Sequence, residues 1–155
     1  MTLPAHVRRG FSLIELVIVV VIIGIIAAIA IPRMSRGASA AADNSLASSV
    51  STLRNAIDLY YTEHTNTYPG DTTIAAQLTG FTDEAGDAKT AADSTHIYGP
   101  YLRAVPSLPV GAKKGQTGIS TATGATIGWI YTAGVIRANT TASEKDVSGK
   151  LYSDY

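Results

Sequence analysis

Cysteine is absent from the 155 residues, so the chain has no disulfide framework, no thiol nucleophile and no thiolate metal site. Histidine occurs three times, at His6, His64 and His96, too scattered to form an imidazole cluster. An excess of one charge is also missing: 12 Lys+Arg face 12 Asp+Glu, which excludes nucleic-acid binding driven by bulk positive charge. No Gly-x-Ser-x-Gly elbow, no phosphate loop ending in Gly-Lys-Ser/Thr and no His-Glu-x-x-His pair occurs. The nearest approach to a phosphate loop, Gly111-Ala112-Lys113-Lys114-Gly115, lacks the spacing and reads as an exposed basic turn. An enzyme is therefore not expected. What the chain does have is length for one ordinary domain and a 46% hydrophobic content concentrated near its N-terminus.

From Leu16 to Ile31, LVIVVVIIGIIAAIAI contains no polar side chain. Counted from Phe11, the mainly apolar stretch spans about 32 Å as a helix, close to the roughly 30 Å hydrocarbon core of a bilayer. Arg8 and Arg9 precede it and orient the N-terminus to the cytoplasm, with the remaining chain outside. A secretory signal peptide fits poorly, because the run exceeds the usual hydrophobic region and a cleavage site would fall in Ala38–Ala42, beyond Pro32 and Arg33. A plain single-pass anchor is the stronger alternative, and Glu15 argues against it. Burying a carboxylate at the centre of a membrane helix costs about 2.5–3.5 kcal/mol, less near an interface, so this one needs a partner. A cut between Gly10 and Phe11 would create an α-amino group four residues from Glu15, on the same helix or on that of a neighbouring subunit.

Beyond Pro32, which should bend or loosen the helix without ending it, the pattern becomes amphipathic. Leu46, Val50, Leu53, Ile57, Tyr60, Tyr61 and His64 recur at spacings of three and four, with Asp43, Arg54, Asp58 and Glu63 placed off that face. The helix is expected to run from Phe11 to about Thr65 and to end near Asn66-Thr67-Tyr68-Pro69-Gly70-Asp71, where Pro-Gly-Asp supplies turn chemistry. A short helix is expected at Thr73–Leu78, a loop from Thr82 to Thr95, and a proline-punctuated connector from Gly99 to Gly111. Strands are expected at Ile119–Thr121, Gly128–Thr132 and Val135–Ala138, the last two joined by a turn at Ala133-Gly134. Trp129 and Tyr131 alternate with Ile130, so one face of the sheet can cover the amphipathic helix. The fold class is α+β: a long membrane-spanning and amphipathic helix packed on a small antiparallel sheet.

The segment Arg8-Arg9-Gly10-Phe11-Ser12-Leu13-Ile14-Glu15-Leu16 resembles the class III signal of the type IV pilin family, which includes the pseudopilins of type II secretion systems. The resemblance implies cleavage after Gly10 by a prepilin peptidase, N-methylation of Phe11, a role for Glu15 in subunit docking and a helix kink at Pro32. Asp58-Leu59-Tyr60-Tyr61 with Tyr68-Pro69, then Tyr101-Leu102-Arg103-Ala104-Val105-Pro106, is similar to the order in major pseudopilins. Leu108-Pro109-Val110-Gly111 departs from that group, which usually has Asp-Pro-Trp-Gly there. The lack of cysteine agrees with a pseudopilin, since many type IVa pilins close a C-terminal loop with a disulfide.

The expected organisation is a cleaved leader at 1–10, a transmembrane and assembly helix at 11–32, a stalk helix at 33–66 and a small globular domain at 67–155. The resemblance implies a subunit of a type II secretion pseudopilus, with a type IV pilin for adhesion, motility or DNA uptake as the alternative. A non-polymerising, membrane-anchored binding protein is a third reading of a different class. The implied partners are further copies in a helical fibre, the prepilin peptidase, an inner-membrane assembly platform and membrane lipids, with no nucleic acid. The implied location is the bacterial inner membrane, with a periplasmic C-terminal domain, and then a fibre in the periplasm or at the cell surface. No cofactor is implied except calcium, which major pseudopilins bind in a C-terminal loop. The oxygen-rich segment Asn139–Tyr155 makes Asp146 and Asp154 the expected ligands, the alternative being a solvated, partly disordered tail.

Overall fold

The computed structural model describes residues 11–155, and for residues 31–33, 35 and 36 the backbone alone. The chain divides into two compact units after Ala38. Its elements are α1 (Leu13–Glu63), α2 (Ile74–Thr79), β1 (Phe81–Thr82), β2 (Ala88–Lys89), β3 (Gly118–Ser120), β4 (Ile127–Thr132), β5 (Val135–Ala138) and a closing 3-10 turn (Tyr152–Asp154).

The first unit carries the N-terminal part of α1. Leu13–Ala30 is apolar enough and long enough to cross a membrane, and none of that window is buried within the chain. The backbone stays helical through Pro32, while the side chain on which a kink at Pro32 depends lies outside the described residues.

In the second unit, 39–155, α1 buries the expected stripe: Leu46, Val50, Leu53, Ile57, Tyr60 and His64 are each at most 2% exposed, while Tyr61 is half-buried. Asp43 differs from expectation. It is buried instead of facing water, and the reason is spacing: three residues before Leu46 and seven before Val50, it belongs to the same stripe. The helix stops where Thr65 and Asn66 enter the left-handed region at φ 52° and 59°, and Asn66 N–H donates to the Tyr61 carbonyl at 3.0 Å.

The sheet that covers α1 is small. β4 and β5 form the expected antiparallel hairpin, with Trp129 opposite Ala138 and Tyr131 opposite Ile136. Its turn holds Ala133 and Gly134 at φ 49° and 89°, the double positive φ of a type I′ turn. A Cβ on Gly134 would lie 2.7 Å from the Tyr68 ring, so glycine is required there for space as well as for φ. β3 lies one residue earlier than expected and joins β4 in parallel, with a register irregularity between Gly118 and Ile119. Trp129 and Tyr131 face the core as expected; Ile130 is buried too, because β4 is the central strand and sets it between Ser120 and Arg137. β1 and β2 pair antiparallel inside the stretch expected to be loop, two residues each and too short to leave a periodic signal.

The stalk stripe, Ile74 and Leu78 of α2, Leu102, Leu108 and Val110 of the connector, and the inward residues of β4 and β5 form one apolar core. Three polar anchors orient it. Trp129 Nε1 donates to the Pro106 carbonyl at 2.7 Å, Tyr131 hydroxyl to the Pro69 carbonyl at 2.9 Å, and Gln77 Nε2 to the Gly86 carbonyl at 2.8 Å. Trp129 is the single tryptophan and is fully buried, so its fluorescence reports this core. Leu53→Ala should lower the unfolding free energy by about 2–5 kcal/mol, seen as an earlier urea midpoint of Trp129 emission in detergent-solubilised protein.

Candidate functional site: the assembly segment and the C-terminal strap

Two regions carry the residues singled out in the sequence. In the first unit, Phe11 is 86% exposed and Glu15 is exposed beside it. Ser12 precedes the first helical residue and Glu15 stands third in the helix, the spacing of a capping box. Ser12 N–H donates to Glu15 Oε2 at 3.4 Å, one half of that box. The carboxylate thus sits at the positive end of the helix dipole, in a position open to a second donor. Gly10 lies outside the described residues, as do Arg8 and Arg9. Around Gly24 nothing lies within 4 Å of where a Cβ would be, so that stretch of helix presents a narrow, unobstructed surface.

The second region is the end of the chain, 144–155, which is packed and not a loose tail. Tyr152 and Tyr155 lie against the apolar core. Glu144 begins the strap by accepting from Ala112 N–H at 2.5 Å through one oxygen and from Thr141 N–H at 2.6 Å through the other. The first of these contacts ties it to the connector beside Gly111, whose φ is 72° and whose Cβ would meet the Glu144 carboxylate at 2.8 Å. On α1, Asp43 takes Tyr152 hydroxyl on Oδ1 at 2.9 Å and Val147 N–H on Oδ2 at 3.1 Å. Arg54, also on α1, donates to the Tyr155 backbone oxygen and to the Ile136 carbonyl at 3.4 Å.

Asp146 is the hub of the strap. Its Oδ1 accepts from Ser148 N–H at 2.8 Å, Ser148 hydroxyl at 2.7 Å and Lys150 N–H at 2.9 Å, while Oδ2 accepts the Tyr155 hydroxyl at 2.5 Å. Asp154 is exposed, with Oδ1 accepting from Ser153 hydroxyl at 3.3 Å. The two carboxylates are not brought together into a ligand set: no group of three or more His, Cys, Asp or Glu able to hold a metal exists among the described residues. Calcium takes 6–8 oxygen ligands, and the donors around Asp146 already use its lone pairs. The residues present therefore do not fit the ion that the resemblance implies.

His64 and His96 serve structure, while His6 lies outside the described residues. His64 stacks on Tyr60 with centroids 3.8 Å apart and sits between the Tyr60 and Asp83 carbonyls. His96 is held by Asp93, which also pairs with Lys89 at 2.7 Å.

Asp43, Tyr152 and Tyr155 are the residues at the strap whose contacts the sequence reading missed. An acid on the register of an apolar stripe was the available signal for Asp43; the two tyrosines left none, since a polar run hides which members fold back.

Residues 6–31 match the family model described as the prokaryotic N-terminal methylation motif. The type II secretion system core protein G of Aeromonas hydrophila is 32% identical over 106 residues, 67% of this chain and 68% of that protein. The protein of the same name from Pectobacterium carotovorum is 29% identical over 67% of this chain and 63% of its own length. That of Escherichia coli K12 is 36% identical over 53 residues, 34% of this chain and 37% of that protein. No solved structure is matched.

The electrostatics of the strap predict its pH range. The hydrogen bond to Asp146 pushes the Tyr155 hydroxyl up to about 12, and burial, then the bond to Asp43, does the same for Tyr152. Burial raises Tyr131 to about 12 as well. The Tyr155 hydroxyl, with Ser148, holds Asp146 well below the usual carboxylate range. Raised tyrosines stabilise the folded chain fully below their unfolded value of about 10, and the contribution disappears as pH rises through about 12. Depressed carboxylates act above their unfolded value of about 4, and lose their effect as pH falls below it. Unfolding free energy should therefore decline between about pH 10 and 12, and Tyr152→Phe should flatten that decline, measured by urea titration of Trp129 emission.

Proposed function

Because the chain belongs to the family of type II secretion system core protein G, we propose that it is a structural subunit of a secretion pseudopilus, assembled through its N-terminal helix. The observation that supports this most is the pairing of an apolar, wholly unburied helical stretch with a carboxylate at its start, inside a segment matching the N-terminal methylation motif. In this reading residues 1–10 are a leader removed by a prepilin peptidase after Gly10, and Phe11 becomes the N-methylated first residue. Residues 11–32 hold the subunit in the inner membrane and 33–66 carry the head, 67–155. Arg8 and Arg9 keep the leader cytoplasmic, where the peptidase acts, and the head is periplasmic.

Assembly then exchanges one apolar environment for another. Lipid tails are as apolar as Val and Ile side chains, so leaving the bilayer for a helix bundle carries no hydrophobic gain, and close packing must supply the stability. Gly24 lets helices approach, and Glu15 supplies direction: its charge is satisfied when the α-amino group of a neighbouring Phe11 reaches it. An assembly platform in the membrane lifts each subunit into that position.

Intact-mass analysis of membrane-extracted protein should show a chain beginning at methylated Phe11 in cells with active peptidase, and an uncut one without it; an uncut chain in both refutes the processing. Glu15→Ala should leave insertion and cleavage in place and abolish fibres on electron microscopy of sheared cells. Normal fibres from that variant would remove Glu15 from the docking step.

A further inference from the structure

The strap 144–155 lies against the second unit's part of α1, and every carboxylate at its centre is already engaged. Asp146 receives four donors and Asp43 two, from a strap that also carries a cation on Tyr155: Lys150 Nζ rests 3.9 Å above that ring. A divalent cation at Asp146 would have to strip three hydrogen bonds from Oδ1, expel the Tyr155 hydroxyl from Oδ2, and tolerate the ammonium of Lys150. The second expected ligand, Asp154, is turned to water.

We infer that the C-terminal strap is closed by a protein-only latch, Asp146–Tyr155 within the strap and Tyr152–Asp43 onto the stalk helix, which takes the place of a bound calcium ion. The Tyr155 hydroxyl occupies one carboxylate oxygen while the Ser148 and Lys150 amides occupy the other, so the turn around Gly149, at φ 91°, is closed by neutral donors. Tyr152 then carries the closure to α1. Its ring packs against the core and its hydroxyl reaches Asp43, which also holds Val147 N–H, so the strap is gripped on both sides of the turn. A buried carboxylate with two donors accounts for its own burial, since each oxygen is satisfied. The Arg54 contact with the Tyr155 backbone oxygen fixes the far end of the strap, and the groove there is lined by Val50, Ser51, Arg54 and Asp58 of α1 facing Lys150 and Tyr155. Nothing in this closure depends on polymerisation, so it stands or falls separately from the fibre-forming role.

The test uses the full chain in detergent, stripped with EGTA, with thermal unfolding followed by Trp129 emission in EGTA and in millimolar calcium. The expected result is one midpoint in both conditions, together with a midpoint several degrees lower for Tyr155→Phe and for Tyr152→Phe, again unchanged by calcium. A midpoint that rises with calcium overturns the inference, as does a Tyr155→Phe chain as stable as the parent. If either variant fails to fold, limited proteolysis of the parent decides: a strap equally resistant in EGTA and in calcium supports the latch, and cleavage within 144–155 only in EGTA overturns it.

Discussion

Everything in the second unit depends on one stripe of α1. Leu46, Val50, Leu53, Ile57 and Tyr60 cannot be buried by a lone helix, and the remaining chain supplies the cover: α2, the proline-rich connector, the β4–β5 hairpin and the strap. The cover is built from short pieces with few hydrogen bonds of their own, two-residue and three-residue strands among them. Such pieces hold no structure alone. They persist because each contributes apolar residues to the shared core and is pinned by a polar contact at its end: Gln77 to Gly86, Trp129 to Pro106, Tyr131 to Pro69, Tyr152 to Asp43.

The parts legible in the sequence are those whose signal is periodic or stereochemical. The apolar run and the three-and-four spacing of Leu46 to Tyr60 located α1 nearly to the residue, and Gly134 between two strand-like runs marked a hairpin, while the positive φ of Ala133 carried no signal because alanine seldom adopts it. The direction of β3 was not legible, since a three-residue strand carries no information about which way it pairs. Nor was the strap. Asn139–Tyr155 reads as polar and solvated because its serines, acids and lysines outnumber its apolar residues, yet Tyr152 and Tyr155 fold back onto the core and onto Asp43 and Asp146. Asp43 was legible and was misplaced: chemical character, and not register, decided its assignment to the outer face.

The first unit obeys a different rule. Among its described residues the apolar side chains of α1 are exposed, a state that water forbids for a surface of this size and that lipid or neighbouring helices accept. Its isoleucines and valines are indifferent between those two surroundings, so composition cannot by itself distinguish an anchor from the core of a fibre. Glu15 adds what composition lacks. As half of a capping box it serves the helix in either surrounding, and in the proposed assembly it would also set register, because a charge in an apolar bundle tolerates only the neighbour that neutralises it.

The same logic of exclusive pairing distinguishes the two ways of fastening a C-terminal loop. A metal ion gathers several carboxylates by charge and tolerates variation in the rest of the loop, but it makes the fold conditional on the ion's concentration. Tyrosine hydroxyls on Asp43 and Asp146 require only neutral donors at fixed positions, and their hold is set by proton affinity. Such a closure is insensitive to the divalent content of the surroundings and sensitive instead to alkali and to the shape of the residues that aim each hydroxyl. Gly111, where a Cβ would meet the Glu144 carboxylate, and Gly149, whose positive φ at the turn of the strap strains any other residue, are therefore part of the fastening.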